Sequence, residues 1–168
     1  MRYCNLQELL TGHKRLVGAE IGVWQGENAE GLFKTLDIEK LYLVDPYEGY
    51  IDPTQGVGLV VRDFDGAKNK TKARVDGYPA VFIYEKSEDA VTQVKEELDF
   101  VYIDAAHTFD NALQDIEVWY PKVKKGGMLS GHDFNIPDVG RAVTEFCSSK
   151  EIKFNTQPNT EHEWWFIK

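Results

Sequence analysis

The feature that most limits how this chain folds is a repeated alternation of short apolar runs with amphipathic segments. Each apolar run has the length of a buried strand, and each precedes a segment whose apolar residues recur at helical spacing. Strands separated by helices are joined by crossover connections, which favour parallel pairing. The predicted strands are Val17–Val23, Lys40–Val44, Ala80–Tyr84, Leu98–Ile103 and Met128–Gly131. The pattern predicts an α/β fold with a doubly wound, mostly parallel sheet and helices on both of its faces.

The remaining segments extend this prediction along the chain. The predicted helices are Asn5–Leu10, Glu27–Leu36, Asp63–Val75, Ser87–Glu97, Asp110–Val123 and Val139–Ser148. Lys153–Thr156 and Glu163–Lys168 flank a turn-like linker, which predicts a C-terminal antiparallel hairpin. Strand alternation within it places Trp164 and Trp165 on opposite faces of the sheet. The Gly- and Pro-containing stretch Ile51–Gly58 predicts a loop.

The composition argues against several kinds of partner. The 168 residues include 19 Lys and Arg against 28 Asp and Glu, a formal net charge of −9. Binding to a nucleic-acid backbone requires clustered cations, so this balance argues against nucleic acid as a partner. No apolar run is long enough to span a membrane, and Met1–Arg15 has no signal-peptide core. We expect one cytoplasmic domain over residues 1–168, with Cys4 and Cys147 as reduced thiols.

Polar side chains follow four of the five predicted strands at the point where each strand ends. They are Asp45, then Glu85-Lys86-Ser87, then Asp104, and finally His132-Asp133. Ligands of open parallel sheets bind outside the carboxyl ends of the strands, at the point where the strand order reverses. Because unpaired carboxylates are costly to bury, a row of them at one rim predicts a site for a polar ligand there.

The end of the first predicted strand reads Glu20-Ile21-Gly22-Val23-Trp24-Gln25-Gly26. Glycine at positions 22 and 26 permits a tight turn and a close approach of a ligand to the backbone. The spacing is neither the G-x-G-x-x-G of dinucleotide binders nor a P-loop, and the Glu20 anion would repel a phosphate. The sequence favours a phosphate-free ligand with a cationic centre, and Asp45 suits a carboxylate that accepts hydrogen bonds from a ribose diol.

These strand ends resemble those of the class I S-adenosylmethionine-dependent methyltransferases. The more specific part is 98–134, which contains an Ile-Asp-x-x-His strand end at 103–107, an acidic helix, a Lys-x-Gly-Gly turn and a Gly-His-Asp-Phe end at 131–134. The resemblance extends from about Val17 to Lys168. It implies the sheet order 3-2-1-4-5-7-6 with an antiparallel seventh strand, and S-adenosylmethionine as the cofactor.

The resemblance also implies roles for individual residues. The Gly22–Gly26 loop would hold the methionine part of the cofactor, with Glu20 positioning that loop or meeting the amino group through water. Asp45 would bind the ribose hydroxyls, Ser87 would border the adenine, and Asp104 would face the methionine amino group or the reaction centre. The predicted cofactor-binding residues are Glu20, Gly22, Val23, Trp24, Gly26, Asp45, Lys86, Ser87 and Asp104.

Methyl transfer to a hydroxyl also requires that the acceptor lose its proton or that its oxyanion be stabilised. Asp104, His107 and His132 are the predicted catalytic residues, with the two histidines as bases. Asp104, His132 and Asp133 also form a predicted divalent-metal cluster, since related sugar and catechol O-methyltransferases place metal-binding acids at the matching strand ends. His132 stands where those enzymes often carry an acid, which disfavours Mg²⁺. Metal-assisted and metal-free chemistry therefore both stay open.

The leading functional hypothesis is O-methylation of a small molecule with a sugar- or phenol-type hydroxyl. The alternative is a cofactor-binding or assembly module that has lost catalysis, because little chain is left over for a substrate lid. The segments expected to shape the acceptor site are the N-terminal helix, Tyr47–Val61 (with Tyr47, Tyr50 and Asp52) and Phe134–Val139. A homodimer that completes the open acceptor side is expected.

Overall fold

Seven strands form one twisted sheet in the computed structural model of the protein, which describes residues 5–51, 59–60, 62–157 and 162–168. The strands are β1 (Leu16–Ile21), β2 (Ile38–Val44), β3 (Tyr50–Ile51), β4 (Leu59–Val60), β5 (Ala80–Ile83), β6 (Leu98–Ile103), β7 (Val123–Gly131), β8 (Asn155–Gln157) and β9 (Glu163–Ile167). The sheet has the order β5-β2-β1-β6-β7-β9-β8, and β3 pairs with β4 in a separate small ladder. Strand β9 is antiparallel to both β7 and β8, whereas the other pairs of the large sheet are parallel. The predicted order and hairpin are confirmed.

Helices connect the strands on both faces of the sheet. They are α1 (Asn5–Leu10), α2 (Glu27–Thr35), α3 (Phe64–Arg74), α4 (Ser87–Ala90), α5 (Phe109–Trp119) and α6 (Pro137–Ser149), with a short 3₁₀ turn at Tyr120–Lys122. Among the described residues, none of these helices has the length and apolar character needed to cross a bilayer.

Two apolar layers cover the sheet, one on each face. Strand alternation divides the side chains between them, so that Phe100 and Tyr102 of β6 face one layer while Val101 and Ile103 face the other. Helices α1 and α2 pack on the first layer, and α4, α5 and α6 pack on the second. Trp164 is buried in the second layer and Trp165 packs against the first, which confirms the predicted alternation.

The helix predicted for Ser87–Glu97 is wrong in its length, because α4 ends at Ala90. Beyond Ala90 a backbone amide donates to the carbonyl three residues earlier instead of four, as the Thr92 amide does to the Asp89 carbonyl at 3.2 Å. The ammonium of Lys122 binds the Val94 carbonyl at 2.6 Å, so a tertiary contact takes the place of a helical bond. Val94 is nevertheless fully buried, as the apolar spacing predicted.

Strand β7 is longer than the predicted Met128–Gly131, since it begins at Val123. The backbone of Lys168 pairs with Gly126 and Gly127 at 2.8 and 2.9 Å, which continues the sheet through the glycine pair. Cys147 is a free, buried cysteine, and burial raises the pKa of its thiol to about 11. Cys4 and most of the predicted loop at Ile51–Gly58 lie outside the described residues.

Two loops at the carboxyl ends of neighbouring strands pack directly on each other. The Asp104 amide donates to the Ile21 carbonyl at 2.8 Å, and the Gly22 amide donates to the Val44 carbonyl at 2.9 Å. Gly22 has φ +84, and a Cβ at this position would overlap the carbonyl oxygen of Asp104. Glycine is therefore needed here for backbone conformation and for loop–loop contact.

Replacing Gly22 by alanine is expected to destabilise the protein strongly, because the variant combines left-handed strain with a steric overlap. We expect the free energy of unfolding to fall by about 3 kcal/mol in urea denaturation. Gly77→Ala is the matched control, since Gly77 has φ +78 but no described atom lies within 4 Å of the place its new Cβ would take. That variant should lose only about 1 kcal/mol. Equal losses for the two variants would contradict the role given to the loop contact.

Candidate cofactor and catalytic site

A cleft of about 890 Å³ lies over the carboxyl ends of the strands. This volume is in the range of small-molecule sites, and the position is the one at which open parallel sheets bind ligands. Most of the predicted cofactor-binding residues line it, namely Glu20, Gly22, Val23, Trp24, Asp45, Lys86, Ser87 and Asp104. Glu20 is almost fully buried, at 1% exposure, and the ammonium of Lys86 lies 3.6 Å from the Glu48 carboxylate.

The carboxylate of Asp45 shapes the loop after β1. One oxygen accepts hydrogen bonds from the amides of Val23 and Trp24 at 3.0 and 2.8 Å, and the other accepts one from the Tyr47 amide at 2.8 Å. A carboxylate offers about four acceptor positions, so three bonds leave capacity for a ligand hydroxyl. Asp45 thus has a structural role in shaping this loop, and its binding of ribose hydroxyls stays a prediction.

Gly26 differs from the other predicted cofactor residues because it is not among the described residues that line the cleft. It is the N-cap of α2 with φ 75, and a Cβ here would lie 2.9 Å from the Cγ2 atom of Thr71. The conformation and the packing on α3 account for glycine at this position. The prediction that Gly26 touches the cofactor directly finds no support in this placement.

Aromatic side chains form one wall of the cleft. The ring of Trp24 meets the edge of Phe64 at a centroid distance of 6.1 Å, and the guanidinium of Arg62 lies 5.1 Å from the Trp24 centroid. Tyr47, a predicted contributor to the acceptor site, instead donates its hydroxyl to Thr71 at 2.9 Å. Asp52 of the same segment lies outside the described residues.

Asn28 is a site residue that the sequence prediction missed. It lies in the first turn of α2, lines the cleft and is only 9% exposed. Among the described residues, neither its amide oxygen nor its amide nitrogen has a hydrogen-bond partner. Buried amides are normally satisfied, so an unsatisfied one facing a cleft points to a ligand that supplies both a donor and an acceptor. The sequence signal for this residue was its position in the first turn of a predicted helix, two residues after Gly26.

A buried polar chain forms the opposite wall, between α4 and α5. The indole Nε1 of Trp119 donates to the Ser87 hydroxyl at 2.8 Å, and Ser87 is hydrogen-bonded in turn to the side chain of Asp115. Ser87 was predicted to cap its helix, but Lys86 occupies the N-cap position. Asp115 also lines the cleft and was not predicted, because it reads as a polar residue of an amphipathic helix.

Asp115 carries the clearest sign of an unusual environment. It is 6% exposed, and burial raises the pKa of its carboxyl to about 7, partly offset by the hydrogen bond from Ser87 and reinforced by the negative charge of Glu88. A titrating carboxyl in a cleft wall is typical of functional sites. Its charge state therefore changes in the physiological pH range.

The predicted catalytic residues meet at the ends of β6 and β7. The Nε2 atom of His107 lies 2.8 Å from one oxygen of Asp133, and the Nδ1 atom of His132 lies 2.9 Å from the other. Burial raises the pKa of Asp133, but hydrogen bonds from His107 and His132 outweigh this effect and hold the pKa well below its ordinary value. Asp133 has φ 60, a conformation that aspartate tolerates better than most residues, and this turn directs its carboxylate between the two rings.

The composition of the predicted metal cluster changes in the structure. Ligand atoms of Asp104, His107 and Asp133 lie within 4.8 Å of one another, whereas His132 is not part of this group. His107 and Asp133 also line the main cleft, which His132 does not. The donor set of one imidazole and two carboxylates suits a divalent transition ion better than Mg²⁺.

Fold and site together define a class of protein. A sheet in this order, with an antiparallel β9 and a cleft over β1 and β6, is the arrangement of class I S-adenosylmethionine-dependent methyltransferases. The chain belongs to the methyltransferase-domain family, whose model matches residues 19–134. The match begins in β1 and ends just after β7, so it covers both walls of the cleft and the His–Asp cluster. No protein of curated function matches the chain.

Solved structures share the fold at low sequence identity. The O-methyltransferase NovP has a TM-score of 0.73 and 15% identity over 98% of this chain and 78% of its own. An O-methyltransferase from Bacillus cereus, in complex with S-adenosylhomocysteine (SAH), has a TM-score of 0.70 and 13% identity over 98% and 79%. An rRNA methylase from Streptococcus thermophilus has a TM-score of 0.67 and 16% identity over 97% and 91%. At such identities the likeness shows the fold alone and does not select an acceptor.

The titration of Asp115 predicts a pH-dependent effect of Asp115→Asn on stability. The folded carboxyl titrates near 7 and the unfolded one near 3.8, so the folded state holds a proton that the unfolded state loses between these values. The stability that Asp115 contributes therefore falls as pH rises through this interval, and the isosteric amide escapes that loss. We expect the unfolding free energy of Asp115→Asn, relative to that of the wild type, to rise by about 2 kcal/mol from about pH 5 to about pH 8. A difference that stays constant with pH would contradict the buried titration.

Proposed function

We propose that the protein transfers a methyl group from S-adenosylmethionine to a hydroxyl of a small molecule of sugar or phenol type. The observation that carries the proposal is that His107, hydrogen-bonded to Asp133 at 2.8 Å, lines the same cleft as the predicted cofactor residues. A base with an orienting carboxylate next to a cofactor cleft is the arrangement required for proton removal from an acceptor.

The residues around the cleft fit the chemical groups of the cofactor. The unsatisfied amide of Asn28 matches an amino acid end, which carries both donors and acceptors. Glu20 and Asp104 supply negative charge at the cleft floor for the cationic groups. Asp45 keeps acceptor capacity for ribose hydroxyls. When bound, the cofactor supplies a methyl group on a positively charged sulfur.

Activation of the acceptor depends on which nitrogen of His107 carries the proton. Because Nε2 faces Asp133, the neutral ring donates from Nε2 to that carboxylate, and Nδ1 is then the nitrogen that carries no proton. Nδ1 takes the hydroxyl proton as the acceptor oxygen gains the methyl group, and the charged Asp133 stabilises the resulting imidazolium. His132 lies on the other oxygen of Asp133 and fixes the orientation of that carboxylate.

The same residues support a second version of this function, in which a divalent ion assists. Asp104, His107 and Asp133 would hold the ion, which would act as a Lewis acid on the acceptor oxygen. Removal of divalent ions with a chelator distinguishes the two versions.

A small-molecule acceptor is favoured by the charge of the cleft. Among the described residues, eight carboxylate side chains line it against two basic ones, Arg62 and Lys86. The carboxylates are Glu20, Glu27, Asp45, Glu48, Glu88, Asp104, Asp115 and Asp133. This lining repels a phosphate backbone. On helix α3, Arg74 pairs with Glu27 and Glu30. A homodimer and a cytoplasmic location stay predictions.

Cofactor binding is tested by calorimetry with SAH. We expect the wild type to bind, and Asn28→Ala to bind at least about tenfold more weakly because it loses two hydrogen bonds to the amino acid end. Thr35→Ala, at the exposed end of the same helix, is the control that should leave affinity unchanged. Absence of SAH binding by the wild type would overturn the proposed function.

The role of His107 is tested by labelled methyl transfer to a panel of sugars and catechols. His107→Gln should lower the rate by about a hundredfold, since general-base catalysis is removed, while SAH affinity is kept. His13→Gln, which changes a histidine that follows α1, should leave the rate of methyl transfer unchanged. Full activity in the presence of a chelator supports the metal-free version, and activity restored only by Mn²⁺ or a similar ion supports the metal-assisted one. Undiminished methyl transfer by His107→Gln would refute the assignment of His107 as the general base.

A further inference from the structure

The hydroxyl of Thr71 joins two loops of the cleft, although Thr71 is not among the described residues that line it. Thr71 lies in α3 and is fully buried. Its hydroxyl donates to the Trp24 carbonyl at 2.8 Å and accepts a hydrogen bond from the Tyr47 hydroxyl at 2.9 Å. A threonine inside a helix usually donates to the carbonyl four positions earlier, but here that carbonyl, of Ala67, is the longer contact at 3.1 Å. The hydroxyl therefore serves the loop after β1 more than its own helix.

Trp24 is the residue that this hydrogen bond constrains. It has φ 51, a left-handed conformation that is costly for a bulky side chain. Its amide donates to Asp45 at 2.8 Å, and its carbonyl accepts from Thr71 at 2.8 Å. Side chains from two different elements thus hold both backbone polar groups of one strained residue. Such strain persists only where the surrounding contacts determine the conformation, and it is concentrated at functional sites.

Tyr47 completes the connection from the loop after β2. A carbonyl can only accept, so the Thr71 proton is used on Trp24 and the Tyr47 hydroxyl has to be the donor to Thr71. Burial raises the pKa of Tyr47 well above its ordinary value, so its hydroxyl keeps the proton that it donates. The loop that carries Asp45 and the loop that carries Trp24 therefore meet on one buried hydroxyl of α3.

We propose that Thr71 is a positioning residue for cofactor binding, which holds the turn at Val23–Gly26 in its binding conformation before the ligand arrives. The inference rests on the proposed cofactor function and adds to it a residue outside the cleft. Without the Thr71 hydroxyl, the Trp24 carbonyl loses its side-chain donor and the strained residue can relax. Only the fraction of molecules that keeps the turn then binds, so the apparent Kd rises by the inverse of that fraction.

Two substitutions at position 71 separate the hydroxyl from the packing of the side chain. Thr71→Val keeps the shape and removes the hydroxyl, whereas Thr71→Ser keeps the hydroxyl and removes the Cγ2 methyl that faces Gly26. In calorimetry with SAH, we expect Thr71→Val to bind about fivefold more weakly than the wild type, the loss that corresponds to one hydrogen bond. Thr71→Ser should bind like the wild type, even where the lost methyl lowers its resistance to urea.

The matched control is Thr144→Val in α6. Thr144 is also a threonine inside a helix, and its hydroxyl donates to the Gly140 carbonyl four positions earlier at 2.7 Å. This side chain is exposed and has no described contact with the loop after β1. The same chemical change should therefore leave SAH affinity as it is in the wild type. A loss in Thr144→Val equal to that in Thr71→Val would overturn the inference.

Kinetics distinguish positioning from a general loss of folded protein. In labelled methyl transfer, Thr71→Val should raise the KM for S-adenosylmethionine about fivefold and keep kcat, because saturating ligand restores the turn. A smaller amount of folded enzyme would instead lower the maximal rate and leave KM unchanged, and that result contradicts the role of Thr71.

Hydrogen exchange measures the turn in the unliganded protein. The Trp24 amide should exchange about fivefold faster in Thr71→Val, because a relaxed turn releases its hydrogen bond to Asp45 more often. Exchange at the rate of the wild type would show that the turn does not depend on this hydroxyl, and would refute the inference.

The binding data also separate this inference from the function on which it rests. If the wild type does not bind SAH, the proposed cofactor function fails and this inference fails with it. If the wild type binds SAH and Thr71→Val binds it equally well, the cofactor function stands and the role of Thr71 is refuted. An affinity loss in Thr71→Ser as large as that in Thr71→Val would assign the effect to packing and refute it as well.

Discussion

The cleft depends on a contact in which a glycine has no room for a side chain. Gly22 lies against the Asp104 carbonyl, so the loop after β1 and the turn after β6 form one continuous floor. Asp45 then fixes the first loop from the side by accepting its amides. The position of Asp104, and of His107 three residues later, follows from this packing. A glycine that reads as a ligand contact in the sequence is thus first a requirement of assembly.

Negative charge is arranged differently in the different parts of the cleft. Asp133 is held ionised by two imidazoles, whereas burial shifts Asp115 toward its neutral form. Asp45 is satisfied mainly by backbone amides. Three aspartates of one cleft therefore have three different surroundings, which are two imidazoles for Asp133, a buried polar chain for Asp115 and backbone amides for Asp45.

Much of this fold could be predicted because alternation along the chain determines which face each strand residue covers. Phe100 and Val101 show the rule directly, since they face opposite layers. The rim residues were also predictable, because parallel strands bring their carboxyl ends to one edge. The length of α4 was not, as it depends on Lys122, which binds the Val94 carbonyl from 28 positions away in sequence. The same applies to Asp115, whose environment is created by Ser87 on another element.

Metal binding stays a prediction, but the structure brings His107 rather than His132 together with Asp104 and Asp133. Sequence order places His132 next to Asp133, but adjacent residues at a strand end direct their side chains differently, and His107 of the neighbouring turn reaches the carboxylate from the cleft side. The spatial pairing of β6 and β7 determines that His107, and not His132, lines the main cleft.

The indole of Trp164 donates to the carbonyl of His132 at 3.1 Å, which connects the last hairpin to the turn that carries Asp133. The Phe134 amide binds the His162 carbonyl at 2.8 Å and strengthens the same connection. The residues predicted to bind the cofactor all precede Trp119 in the chain, whereas the turn that carries Asp133 is bonded to residues of the final hairpin. During synthesis on the ribosome, this turn can gain these two bonds only when the final hairpin has emerged and β9 has paired with β7. The order of chain emergence thus places these two bonds among the last contacts that the turn with Asp133 can form.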